Sequence, residues 1–142
     1  MRDETTCPFC DLVAGRTPAS VLFADQIALA VMDISPLNPG HVLVIPKHHA
    51  PQLSDLDEPT AARLFAIALR AQSALRRSGV RCDAVNLFLA DGEAAGQEVP
   101  HVHMHVLPRY EGDGFRVVFE RSAQPPRADL EADAERIRRV WD

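Results

Sequence analysis

Two short, mostly apolar runs, residues 20–25 and 27–33, stand on either side of Gln26 and read as the arms of a hairpin. A third run, 41–45, follows a segment carrying two prolines, an asparagine and a glycine, and Pro46 stops it. Leu64, Ile67, Ala71 and Leu75 recur at helical spacing, which predicts a long helix over about 58–78. Asp57 can cap that helix, Pro59 is tolerated in its first turn, and Gly79 can end it. Strand-like runs return at 84–89 and at 102–107, joined by a loop with Gly92 and Gly96, and Pro108 closes the last. Residues 9–14 can form one or two helical turns ending at Gly15. At the far end, Leu130, Ala134, Ile137 and Trp141 mark a helix over about 128–141, with acids early and arginines late, expected to dock by one face. Several strands joined by turn-rich links favour antiparallel neighbours, so the fold class is α+β.

The 142 residues, 46% of them hydrophobic, suffice for one domain over 1–142, its core lying at about 7–110. A net charge of -5, with both signs mixed along the chain, argues against nucleic acid as a partner. No apolar run approaches the roughly 20 residues that span a bilayer. The acidic start, Met1-Arg2-Asp3-Glu4, does not suit a signal peptide, so neither membrane association nor export is expected and the location is read as cytoplasmic. Three cysteines cannot all pair. Cys7 and Cys10 form a C-x-x-C that is half a metal site or a redox pair, while Cys82 packs as a small hydrophobe.

The chemistry concentrates in His101-Val102-His103-Met104-His105. Strand alternation would put the three imidazoles on one face and the apolar residues on the other. Three buried imidazoles are costly, since each needs partners for two ring nitrogens, so the pattern implies a use. Two uses compete. One is a zinc site made by these histidines. The other is nucleophilic attack on phosphorus, for which imidazole suits because it is partly neutral near pH 7 and leaves again readily.

The strand with its continuation Val106-Leu107-Pro108-Arg109 resembles the signature of the histidine triad (HIT) nucleotide hydrolases and transferases. The resemblance extends in order over Cys7-Pro8-Phe9-Cys10, Asp33-Ile34-Ser35-Pro36, the stretch 40–47, and Asp91-Gly92-Glu93-Ala94-Ala95-Gly96-Gln97. It implies a five-stranded antiparallel sheet with one long helix and short terminal helices, assembled as a homodimer. It further implies that His103 is the nucleophile forming a nucleotidyl-histidine intermediate, that His105 and His41 hold phosphate oxygens, and that His101 completes the catalytic strand. Asp33 would accept the ribose hydroxyls; Phe9, Leu12, Val31 and Ile34 would surround a purine; and Gly96, Gln97 and Glu98 would lie along the phosphate.

Members with this C-x-x-C hold a structural zinc, which here implies Cys7, Cys10, His49 and His101, with His48 the adjacent alternative to His49. No metal would be required for catalysis. Two departures stand out: Ala90 where better-known branches carry Asn or Gln, and Glu98 where they carry Ser or Thr. The expected activity is hydrolysis at the α-phosphate of purine nucleoside phosphoramidates or dinucleoside polyphosphates. The rivals are nucleotidyl transfer to phosphate and nucleotide binding with little catalysis.

Overall fold

The computed structural model describes residues 6–119 and 124–141; the acidic start read from the sequence lies outside them. Its order is α1 (Pro8–Val13), β1 (Val21–Ala24), β2 (Ala28–Met32), β3 (Val42–Pro46), α2 (Glu58–Arg77), β4 (Ala84–Phe88), β5 (Met104–Arg109) and α3 (Arg127–Arg138). The five strands form one antiparallel sheet, as expected, and their order is β1-β2-β3-β5-β4.

Alternation along β2 and β3 divides the core between the two faces of the sheet. Ala28, Ala30, Val42 and Val44 face α2, where Leu64, Ile67, Ala68 and Leu75 meet them. Leu29, Val31, Leu43 and Ile45 face the other way and are covered by Phe9, Leu12 and Val13 of α1. Val102 and Val106, with Met104 between them, join the α2 side, which turns the intervening histidines toward the α1 side. Asp57 caps α2, its carboxylate accepting the Thr60 amide hydrogen at 2.8 Å.

Of two prolines expected to end strands, Pro46 is the last residue of β3, paired with Ala28, whereas Pro108 lies inside β5, paired with Val85. Each tolerates the position because its missing N–H faces a side where the neighbouring strand has stopped. The β3–β5 pairing spans only Val42↔Val106 to Val44↔Met104. Beyond its two ends, the Pro46 carbonyl receives the His101 ring and the Pro108 carbonyl receives the Asn38 side chain. For the same reason β5 begins at Met104, later than expected, and His101 to His103 precede the paired strand.

The expectation that α3 docks by one face is not met. None of its residues is buried, and Leu130, Ile137 and Trp141 are exposed. Its ion pairs run within the helix, as between Arg136 and Asp133 or Arg138 and Glu135, so local charge pairing rather than packing supports it.

Candidate active site and metal centre

Backbone partners cannot exchange donor and acceptor roles, and they fix the proton on each histidine. The His103 ring, buried beneath Phe9 with centroids 4.9 Å apart, donates from Nδ1 to the His101 carbonyl at 2.7 Å. In the neutral ring the lone pair therefore sits on Nε2. No group among the described residues bonds that atom, and no buried side-chain nitrogen is left without a partner, so Nε2 opens to solvent.

His41 is anchored in the opposite sense. Its Nδ1 accepts the Leu37 amide hydrogen at 3.2 Å, so the proton sits on Nε2 and is donated to His105 Nδ1 at 2.8 Å. His105 in turn must hold its own proton on Nε2. Asp33 stands beside this pair, with Oδ2 3.6 Å from His41 Nε2 while Oδ1 accepts the Ser35 amide hydrogen at 2.8 Å.

Burial lowers the pKa of His41, opposed by the negative charge of Asp33. Burial, with His103 and His41 nearby, lowers that of His105 to about 4. Both rings are thus neutral at pH 7. Below its unfolded pKa near 6.5, His105 takes up a proton more readily in the unfolded chain than in the folded one. Its contribution to stability is therefore present above about pH 6.5 and lost as pH falls toward 4. Urea unfolding between pH 7 and pH 4 should show this decline, and His105→Gln should flatten it; an equal slope in the variant would refute the assignment.

His101 is fully buried and donates from Nε2 to the Pro46 carbonyl at 2.8 Å, which leaves Nδ1 as a lone pair among sulfur and nitrogen atoms. That Nδ1 lies 3.4 Å from Cys7 Sγ, 3.6 Å from Cys10 Sγ and 3.3 Å from His49 Nδ1, and Cys10 Sγ lies 3.3 Å from His49 Nδ1. A tetrahedral zinc with ordinary bond lengths would need about 3.6 Å between S and N ligands and about 3.3 Å between N ligands. The four residues fit such an ion, and His49 rather than the exposed His48 belongs to the group. Asp33, His41 and His105 also cluster, but the Leu37 N–H keeps a proton on the His41 nitrogen that would have to bind. A zinc shared by His101, His103 and His105 is likewise disfavoured: His101 Nδ1 faces the cysteines, and His103 Nδ1 is committed to a carbonyl.

The remaining predicted residues fall into two groups. Phe9 and Leu12 pack over the histidine side of the sheet, while Val31 is wholly buried beneath them and Ile34 is 92% exposed. Gly96, with φ +87°, ends a short turn. The Gln97 side chain is consumed in bracing its own loop: it accepts from the Gly92 amide and donates to the carbonyls of Pro51 and Val99. Glu98 is exposed and borders a small cavity with Cys7, His49 and Pro100. Ala90 is buried, and the neighbouring Asp91 accepts the Leu53 amide hydrogen. Sequence reasoning passed over Phe88, whose ring lies 5.7 Å from that of His105, and Asn38, which it read only as turn chemistry.

The HIT domain family model matches residues 14–112. The chain belongs to the HIT family. It is 39% identical over 113 residues to an HIT-like protein of Methanocaldococcus jannaschii, covering 80% of this chain and 86% of that one. A relative in Arabidopsis thaliana, adenylylsulfatase HINT3, is 34% identical over 111 residues, 78% of this chain and 55% of its own. Among solved structures, a HIT family member from Bacillus subtilis superposes with a TM-score of 0.88 at 34% identity, covering 96% and 98% of the two chains. A zinc-bound histidine triad protein from Mycobacterium smegmatis does so at 0.75 and 36%, covering 98% and 100%. The chain thus has a HIT fold with a Cys2His2 cluster beside its histidine strand.

Proposed function

We propose that this HIT protein is a nucleotide hydrolase. His103 Nε2 attacks the α-phosphorus of a purine nucleoside phosphoramidate or dinucleoside polyphosphate, forming a P–N bond as the bond to the amine or polyphosphate breaks. Water then attacks the same phosphorus, releasing the nucleoside monophosphate and restoring the imidazole. The observation that carries this reading is the bond from His103 Nδ1 to the His101 carbonyl, which directs the lone pair of the neutral ring to the solvent-facing Nε2. His105 presents Nε2–H to a phosphate oxygen, where charge develops as the leaving group departs. His41 acts through His105 in this reading, because its own N–H is committed to the His105 ring.

Asp33 Oδ2 is assigned to the ribose, and Phe9 and Leu12 to the base. A relative named for cleaving an adenylyl sulfate supports reaction at a nucleoside α-phosphate. Cys7, Cys10, His49 and His101 would hold a structural zinc. That ion would supply a closed tetrahedral cross-link between α1 and the start of the histidine strand. Pairing as a homodimer is also part of the proposal, favoured by Phe65 and Leu69 exposed on α2 and by Leu87 exposed on the sheet-edge strand β4.

Brief incubation with an adenosine phosphoramidate or a dinucleoside polyphosphate, without acid quench, should yield a nucleotidyl adduct on the peptide containing His103, detectable by mass. Absence of both adduct and product would overturn the enzymatic reading.

A further inference from the structure

Asn38 is almost fully buried in a turn that the proposed chemistry does not use. Both of its amide hydrogens are engaged, one by the Pro108 carbonyl at 2.9 Å and one by Asp113 Oδ2 at 3.0 Å. The Asp113 carboxylate is also gripped by Arg109, at 2.6 and 3.1 Å, and by the amide hydrogens of Tyr110 and Phe115. Arg109 belongs to β5, and its guanidinium reaches Asn86 of β4 at 2.7 Å and the Phe115 carbonyl. Arg109, and after it the surrounding donors, hold Asp113 well below the usual carboxylate range.

On its other side the same turn touches the active site. The Asn38 carbonyl accepts the His41 amide hydrogen at 3.1 Å, and the adjoining Leu37 N–H supplies the bond to His41 Nδ1. The Leu37 side chain is itself 56% exposed, so packing of that residue does not hold its amide in place. Asn38 does.

We infer that Asn38, Asp113 and Arg109 are positioning residues for the proposed reaction: their buried hydrogen-bond brace fixes the Leu37 amide, and through it the proton positions on His41 and His105. The inference rests on the hydrolase reading for its consequence, though not for its structural core. Without the brace the Leu37 N–H is free to turn away, and His41 can carry its proton on Nδ1. His41 Nε2 would then oppose His105 Nδ1 lone pair to lone pair. His105 relieves that conflict only by moving its own proton to Nδ1, which removes the donor aimed at the phosphate. The groups facing His41 in this exchange are Asp33 at the end of β2 and His105 on β5, with His103 beside the latter.

The test uses the full chain, with histidine side chains labelled with nitrogen-15, in the wild type, Asn38→Ala and Asp113→Asn. The wild type should show His41 protonated on Nε2, and both variants should lose that signature. Turnover should fall about tenfold, the worth of roughly one well-placed hydrogen bond, while nucleotide affinity changes less than about threefold. On a His41→Ala background, Asn38→Ala should cause no further loss. An unchanged His41 signature in the variants, or a full additional loss on that background, would overturn the brace. The tautomer measurement needs no substrate, so a wild type without turnover would defeat the hydrolase reading and leave this measurement to decide the brace. Should Asn38→Ala fail to fold, Asp113→Asn, which keeps the side-chain volume, carries the same comparison.

Discussion

Turnover of an adenosine phosphoramidate should fall by about four orders of magnitude in His103→Ala, while affinity for a nucleoside monophosphate stays within about threefold of the wild type. The expectation follows from a division of labour in the site. Of the three histidines in the motif, His103 is the one whose neutral ring turns its lone pair to solvent; that of His101 is turned to the cysteines, and His105 Nδ1 already accepts a hydrogen bond from His41. Removing the nucleophile takes away the bond-forming atom and leaves Asp33, Phe9 and Leu12 in place to bind. His105→Ala should be milder, because a phosphate donor is lost but attack remains possible. Steady-state turnover beside equilibrium binding makes the comparison. Turnover retained in His103→Ala would dismiss it as the nucleophile and return attention to the other two imidazoles.

The second large effect is expected from the metal centre. The purified protein should contain close to one zinc ion per chain, and stripping it with a strong chelator, or Cys10→Ser, should lower Tm by about 10 °C or more. Two of the four clustered residues, Cys7 and Cys10, lie at the N-cap and in the body of α1, a helix of six residues. So short a helix has little stability of its own. It is held by the packing of Phe9, Leu12 and Val13 and by whatever joins the cysteines to His49 and His101. Because the four-ligand shell would leave no open position, stripped protein kept below its lowered Tm should still form the nucleotidyl adduct. A stoichiometry near zero with unchanged Tm on chelation would remove zinc from the account. Loss of adduct formation in stripped but folded protein would show that the metal serves more than architecture.

Much of this molecule is written in local pattern. The alternation of 28–32 and 42–46, the helical stripe from Leu64 to Leu75, and the cap at Asp57 specify β2, β3 and α2 without reference to the rest of the chain. The motif His101-Val102-His103-Met104-His105 specifies three imidazoles on one side, and they fall there even where strand pairing has not yet begun. Spacing could not divide those imidazoles into roles, because the three are equivalent in sequence.

Their division depends on which backbone group lies opposite each ring, and that is a property of the assembled sheet. The His101 carbonyl opposes His103, the Pro46 carbonyl opposes His101, and the Leu37 amide opposes His41. Tertiary structure likewise chose His49 over His48 and made strand residues of Pro46 and Pro108. It also left α3 undocked despite an apolar stripe, since a stripe encodes a preference for burial but not a surface to bury against. Sequence by itself determined most of the elements, the family and the set of histidines and cysteines that the fold gathers. Only the fold decided which nitrogen of each histidine holds its proton, because that depends on a single donor or acceptor brought from a distant part of the chain.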